Sequence, residues 1–182
     1  FTVGNAASAV TQGAEIDLQW RATEALTISA VVALLDAEYD EFDEGPCSQF
    51  QVDNGLCPTG SQDLSNETLQ YAPDYSYNLT AEYIWPLSDR LDLIGFVRVY
   101  GEDEKQLALD LDPYTVQDSF TKVDARLSLA DSEGQWQVSL IGRNLSDETT
   151  MGFANDINYF RGSYFGMTEA PRSLIVQGTY RF

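Results

Sequence analysis

Alternation with a period of two runs through most of this chain, and no other feature limits its fold as much. In the last run, Leu174, Val176, Gly178, Tyr180 and Phe182 share one face, while Ser173, Gln177, Thr179 and Arg181 share the other, with Ile175 the apolar exception. Upstream, Trp136, Val138, Leu140 and Gly142 oppose Gln137, Ser139 and Arg143, and Val123, Ala125, Leu127 and Leu129 oppose Lys122, Asp124, Arg126 and Ser128. Leu91, Leu93, Gly95, Val97 and Val99 oppose Asp92, Arg98 and Glu102, with Ile94 and Phe96 mixed in. Tyr75, Tyr77, Leu79, Ala81, Tyr83 and Trp85 oppose Ser76, Asn78, Thr80 and Glu82. The run Leu26 to Tyr39 is apolar on both faces in its middle and shifts phase near Asp36, where a β-bulge is expected. The first run sets Ala14, Ile16, Leu18 and Trp20 against Glu15, Asp17, Gln19 and Arg21. Side chains alternate across a strand, so the chain reads as seven strands of an all-β protein. No window has a convincing helical period.

The connections alternate in length. Those near Thr23–Ala25, Leu87–Arg90 and Asp131–Gln135 are tight, whereas about 40–72, 103–119 and 146–172 are long. Up-and-down strands joined in this way have every short turn at one end and every long loop at the other. Antiparallel transmembrane β-barrels are built so. Trp20, Trp85, Trp136, Tyr180 and Phe182 all fall at the short-turn end, as a periplasmic aromatic girdle would. Tyr39, Tyr75, Tyr77 and Tyr100 fall near the long-loop end. A soluble acidic β-sandwich shares the alternation but has no reason to sort its loops. Seven strands do not close in the even-numbered series of bacterial barrels, and open edges in lipid leave backbone groups unpaired. Runs one and seven therefore need partner strands outside this sequence. The chain, which starts at Phe1 without an initiator methionine or signal segment, is expected to be a fragment or one piece of a split barrel.

Composition removes other functions. With 29 acids against 10 bases and a net charge of −19, the chain is no match for nucleic acid. It has no histidine and only two cysteines, which removes His-based triads and the usual zinc sites. No Gly-rich phosphate loop or nucleophile elbow is present. The expectation is a protein that is not an enzyme and carries no cofactor. Average hydropathy hides the membrane signal, because alternating strands cancel in any sum.

The final segment Leu174-Ile-Val-Gln-Gly-Thr-Tyr-Arg-Phe182 resembles the C-terminal assembly signal of Gram-negative outer-membrane proteins, with Leu174, Val176, Gly178, Tyr180 and Phe182 at the alternate positions. Gln12 to Trp20, Leu34-Leu-Asp-Ala-Glu-Tyr39, Val123-Asp-Ala-Arg-Leu127, Gly142-Arg-Asn-Leu-Ser-Asp-Glu148 and Pro171 to Phe182 resemble, in this order, the last third of TonB-dependent receptors. The resemblance implies a 22-stranded outer-membrane barrel, of which 1–182 supplies the seven C-terminal strands. The plug domain and the TonB box of such receptors are not in this sequence. It implies uptake of a scarce nutrient, most often a ferric siderophore, driven by TonB–ExbB–ExbD acting through the plug. It also implies contact with lipid, lipopolysaccharide, the barrel assembly machinery and the remainder of the barrel. The alternative is a structural fragment that scaffolds an outer-membrane assembly without transport.

Several residues stand out as candidates. Cys47 and Cys57, in a short turn-rich stretch of an exported chain, are expected to form a disulfide. Asp40, Asp43 and Glu44 head the same loop and are weak Ca²⁺ candidates, since no complete Asp-x-Asp-x-Asp-Gly loop exists. Arg98, Lys122, Asp124, Arg126 and Arg143 face the lumen and are expected to pack against a plug rather than mark a substrate path. Phe153, Tyr159, Phe160, Tyr164 and Phe165 are placed equally to touch a ligand or to pack the loops together.

Overall fold

The structure, a computed structural model, describes residues 8–157 and 159–182; Phe1, with the rest of 1–7, lies outside them. Seven strands form one antiparallel sheet in sequence order: β1 (Ser8–Arg21), β2 (Leu26–Glu41), β3 (Tyr75–Ser88), β4 (Leu91–Glu102), β5 (Phe120–Asp131), β6 (Trp136–Arg143) and β7 (Ser173–Tyr180). Each strand pairs with its neighbours in chain order, an up-and-down meander with β1 and β7 at the edges. The register keeps the apolar faces aligned across the sheet. Ile28 pairs with Ala81, Ala81 with Val97, Val97 with Ala125, Ala125 with Gly142, and Gly142 with Leu174. A slip of one residue in any pair would turn a strand's apolar set to the other face.

That apolar face is uncovered. Ile16, Leu18, Leu34, Leu127, Leu140 and Val176 are all exposed, Leu140 at 52% and Val176 at 76%. Among the described residues no second sheet packs on it, so the expected signature of a soluble sandwich is missing. Two aromatics fill dips left by glycines on the adjacent strand. A Cβ at Gly95 would meet the Trp85 indole at 2.7 Å, and one at Gly101 would meet the Tyr77 hydroxyl at 2.8 Å and the Phe120 carbonyl at 2.1 Å.

β2 corrects one expectation. No register shift occurs at Asp36; the irregularity lies at the end of the strand, opposite Ser8/Ala9, where Asp40 is skipped between the partners Glu41 and Tyr39. What changes near Asp36 is polarity. Ile28, Ala30, Val32 and Leu34 on the apolar face give way to Asp36 and Glu38, while Ala37 and Tyr39 on the opposite face become buried.

Of the long loops, 42–74, 103–119 and 144–172, the first two cover them on the polar face of the sheet. Tyr39, Phe42 and Leu64 form a small core, packed by Leu69 of the first loop and Leu109 and Leu111 of the second. Fully burying a side chain such as Leu64 stabilises this layer by roughly 1.5–3 kcal/mol. The first loop also contains a short helix, α1 (Gln49–Asp53), which alternation did not foresee. Its signal was present: Ser48 and Gln51 form a capping box, each side chain bonded to the other's backbone N–H. Each loop contains a small antiparallel pair: Gly45–Pro46 with Ser61–Gln62, Lys105–Gln106 with Val116–Gln117, and Met151–Asp156 with Tyr164–Thr168.

Candidate functional site

Two regions carry the polar chemistry: a belt of charges on the inner sheet face and the loop layer above it. The belt follows from alternation. Register sets Arg98 opposite Asp124, and Arg126 opposite both Phe96 and Ile141. The Arg98 Nε donates to the Asn78 Oδ1 at 2.8 Å, its Nη1 lies 4.0 Å from the Asp124 carboxylate, and its guanidinium stacks 4.1 Å from the Tyr100 ring centroid. The Arg126 Nη2 pairs with Glu82 at 3.1 Å and the group lies over Phe96 at 5.2 Å. Arg143, on the same face, makes no ion pair among the described residues. These side chains line a cleft of about 850 Å³ together with Lys122, Asp124, Asn144 and Glu169.

Lys122 joins belt to loops. Its ammonium, on a side chain only 3% exposed, donates to the Thr150 Oγ1 at 2.5 Å and the Glu169 Oε2 at 2.7 Å. Thr150 and Glu169 stand at the two ends of the third loop's hairpin, and the Glu169 N–H donates to the Thr150 carbonyl at 2.9 Å. The hydrogen bonds from Lys122, then from Thr150, hold the Glu169 carboxyl below the usual range. Alternation found Lys122 but not Thr150 or Glu169, whose positions depend on how an irregular loop returns.

The loops are braced to one another. The Gln49 N–H donates to Asp156 at 2.6 Å, and Arg161 pairs with Asp53 at 3.2 Å, tying the first loop to the third. The Gln62 side chain donates to the Asp110 carbonyl at 2.8 Å, and the Met151 N–H donates to the Gln117 side chain at 2.6 Å. At their junction, Tyr164 packs 5.4 Å from Tyr114, which meets Phe50 edge-on at 5.9 Å. Three carboxylates collect there. Asp112 is fully buried, and Asp156 nearly so. Burial, with help from Asp156 and Asp112, pushes the Asp110 carboxyl up to about 6, and burial beside Asp112 pushes the Tyr164 hydroxyl up to about 12.

The remaining candidates are placed as follows. Cys47 and Cys57 are bonded, with Cα atoms 6.4 Å apart. Asp40 accepts from the Ser8 hydroxyl at 3.0 Å at the end of β2, with Asp43 and Glu44 in the turn beyond it. Among the described residues no three carboxylates converge to hold a metal, so these acids are not brought together as a cation site. Trp20, Trp85, Trp136 and Tyr180 stand at the short-turn ends of β1, β3, β6 and β7, and Phe182 follows β7 with its ring 5.7 Å from that of Tyr180. Leu174, Val176 and Gly178 share their face along β7. Of the four tyrosines near the long-loop end, Tyr75 and Tyr77 face outward. Tyr39 is buried under the loops and Tyr100 sits under Arg98, because both belong to the inner phase of their strands. Of the third loop's aromatics, Phe153 packs on Phe165 at 5.4 Å and Tyr164 joins the junction, whereas Tyr159 and Phe160 are exposed.

A sequence-family profile described as "TonB dependent receptor-like, beta-barrel" matches residues 1–145. Three solved structures are similar in fold. The ferric yersiniabactin uptake receptor FyuA from Yersinia pestis is 12% identical with a TM-score of 0.70, the match covering 93% of this chain and 23% of that one. The siderophore receptor PiuA from Acinetobacter baumannii is 18% identical, with a TM-score of 0.67 and coverage of 93% and 21%. BauA, the ferric preacinetobactin receptor from the same organism, is 12% identical, with a TM-score of 0.64 and coverage of 94% and 22%. The chain thus spans less than a quarter of the length of these solved structures. At such identities the likeness is one of fold. No curated protein matches the sequence.

Proposed function

This chain belongs to the TonB-dependent receptor β-barrel family, and from that premise we propose that it forms the C-terminal part of the wall and surface loops of an outer-membrane nutrient importer. One observation carries the reading: a seven-stranded sheet leaves its apolar face uncovered while its other face is charged and roofed by loops. In water that arrangement exposes far more contiguous apolar surface than a soluble monomer tolerates. In a bilayer the exposed face meets lipid, and the Trp20, Trp85, Trp136, Tyr180 and Phe182 girdle sits at the periplasmic interface. The long loops then face the cell exterior, beside lipopolysaccharide. The unpaired edges of β1 and β7 are completed by further strands of a closed barrel, since each unpaired backbone group in lipid costs several kcal/mol. The alternate positions Leu174 to Phe182 present the segment that the barrel assembly machinery engages.

The cargo is a scarce, bulky nutrient, with a ferric siderophore the first choice. Energy reaches the barrel from TonB–ExbB–ExbD through a plug domain. The chain's own residues do no covalent chemistry; they supply wall, girdle and a braced roof of loops.

The test uses a Gram-negative host lacking its own siderophore receptors, grown under iron limitation with a panel of ferric siderophores. Expression of the full-length protein carrying this chain restores growth on at least one of them, and only when TonB is intact. Restored growth without TonB, or no uptake of any iron complex or other bulky nutrient, overturns the reading. A stoichiometric complex with other outer-membrane proteins and no transport would favour the scaffold instead.

A further inference from the structure

The apolar face of the sheet is not evenly filled. Between β3 and β7 it holds a recess of about 480 Å³, lined almost wholly by apolar atoms. The floor follows one cross-strand row, Ala81–Val97–Ala125–Gly142, with Gly95 one outward position nearer the short turns on β4. Larger side chains wall it. Leu127 and Leu140, paired in line with Gly95, stand on β5 and β6. The Trp85 indole lies against Gly95 and Leu145 folds back over Gly142; a Cβ at either glycine would meet that side chain at 2.7 Å. The tryptophans fix the depth of the recess in the proposed barrel. Trp20 shares the row of Gly142, through Ile28, Ala81, Val97 and Ala125, yet Trp136 stands six residues below Gly142 on β6. The periplasmic girdle thus drops six residues across the five strand spacings from β1 to β6. At about 3.3 Å per residue and about 4.8 Å per spacing, that is a strand tilt near 40°, the tilt of outer-membrane barrels. Ala125, on β5, then stands about 12 Å above the girdle, at the middle of an apolar band about 25 Å tall, and Gly95 stands only about 4 Å above it. The recess therefore runs from the periplasmic interface to the centre of the bilayer, the depth of one leaflet.

Lipid tails are as apolar as leucine, so burial alone selects nothing on this face. Shape and hydrogen bonding do. A chain lying in the recess gains dispersion contacts on several sides, which an empty dip would forfeit. At the lower end Tyr83 and Trp85 pack with ring centroids 4.5 Å apart, and neither the Tyr83 hydroxyl nor the Trp85 indole N–H bonds to another described residue. Both are amphipathic rings near the interface, where lipid ester carbonyls supply acceptors. We propose that the recess binds one acyl chain of a periplasmic-leaflet phospholipid, its ester group at Tyr83 and Trp85 and its tail over Ala125 and Gly142. This rests on the barrel reading above and gives the wall a discrete lipid site. Lipopolysaccharide is the wrong source: its chains descend from the outer leaflet, where Leu145 stands over Gly142 and closes the recess.

The test uses the full-length protein, extracted from outer membranes in a mild detergent and washed by repeated detergent exchange. Mass spectrometry counts the lipids that stay with each barrel. Ala125→Phe fills the floor of the recess, and Ile16→Phe makes a similar apolar change on the exposed face of β1, outside it. The parent and I16F should each retain about one phospholipid per barrel more than A125F, a site tight enough to survive the washes. Tyr83→Phe combined with Trp85→Phe adds no bulk and removes both donors; it should release the same molecule about fivefold faster over the washes. Equal phospholipid in parent and A125F overturns the proposal, as does a release rate unchanged by the double variant. So does a molecule lost in A125F that proves to be lipopolysaccharide. Uptake measured on the same cells separates the two readings. Uptake by a parent protein without this lipid sinks the lipid site alone, whereas a phospholipid lost in A125F from a barrel that transports nothing supports the site and removes the importer.

Discussion

Removing Glu169 should loosen the third loop far more than removing Lys122, although the two form one ion pair. The reason is unequal burial. The Lys122 side chain is 3% exposed and that of Glu169 is 52% exposed. Glu169→Gln leaves an ammonium in the protein interior without its counter-charge. Breaking a buried pair from that side costs about 3–5 kcal/mol. The Thr150 hydroxyl remains as an acceptor at 2.5 Å, and the Phe120 ring stays at 5.1 Å. The Glu169 side of the pair is half in water, so the low end of that range applies; with about 0.5–1 kcal/mol kept in the cation–π contact, the net loss should be about 2 kcal/mol. Lys122→Met instead removes the charge and keeps the stem. Glu169 turns to water, and the loss is that of a pair with one wet partner, about 0.5–1 kcal/mol. Hydrogen exchange of amides in Met151–Asp156 and Tyr164–Thr168 reads the difference in the folded barrel. Opening of the hairpin should rise about 30-fold in E169Q and two- to five-fold in K122M, at about 1.4 kcal/mol per decade. The pH dependence has a fixed sign. The Glu169 carboxyl is held below its ordinary 4.5, so its contribution is complete above that value and is lost as pH falls through the depressed one. The gap between E169Q and the parent should therefore close in acid. Equal loosening by the two variants, or greater loosening by K122M, would refute the argument from unequal burial.

Three further outcomes are expected. Arginine at Leu140, in the middle of the exposed apolar face, should cost about 2–4 kcal/mol in lipid vesicles, read as a shift in the urea midpoint of the folded barrel; a neutral result would mean that this face meets water. Replacing Cys47 and Cys57 together with serine should relax a ring worth about 2.5–3 kcal/mol of loop entropy. Proteinase K cleavage in 48–56 should then rise while the sheet's circular dichroism stays unchanged, and loss of the sheet would show that the disulfide holds more than its own loop. Asp110→Asn should slow hydrogen exchange at the loop junction at pH 7–8 but not at pH 4. The carboxyl is pushed up to about 6, so the folded loops lose stability as pH rises from 3.8 to that value, by order of 1 kcal/mol after discounting for its remaining contact with water. No gain at pH 8 would place Asp110 in a wetter site than its neighbours Asp112, Asp156 and Tyr164 imply.

Strand identity was legible because the sheet is regular. Each residue's face follows from parity, which sets Arg98, Lys122, Asp124, Arg126 and Arg143 on one side. Their partners were legible only in part. Glu82 and Asn78 lie on the inner phase of β3; register sets Glu82 level with Arg126 across Phe96, and Asn78 one inner position along from Thr80, the partner of Arg98. Thr150, Glu169, Asp156 and Gln49 have no such rule. Their contacts span loops, as in the bond from Gln49 to Asp156 across 107 residues, and no periodicity encodes the path of an irregular loop. Tyr39 and Tyr100 share the height of Tyr75 and Tyr77 along the strands, but parity turns them to the inner face.

β2 shows what a change of phase means in such a chain. A strand of sixteen residues is about 53 Å long, and at a tilt near 40° it rises about 40 Å. An outer-membrane barrel's apolar band is only about 25 Å tall, so in the proposed barrel some 15 Å of β2 stands clear of the lipid. In that stretch the two faces exchange solvents. The outward face meets water and becomes Asp36 and Glu38, while the inward face meets Phe42, Leu64 and Leu69 of the roof and becomes Ala37 and Tyr39. The apolar phase inverts with no residue inserted, as the unbroken pairing of Asp36 with Gln12 and of Glu38 with Val10 requires. A bulge moves side chains to the other face; here every side chain keeps its face and the surroundings change. In a strand that outruns the bilayer, an inversion of polarity at constant register therefore marks the height at which lipid ends and the loop layer begins.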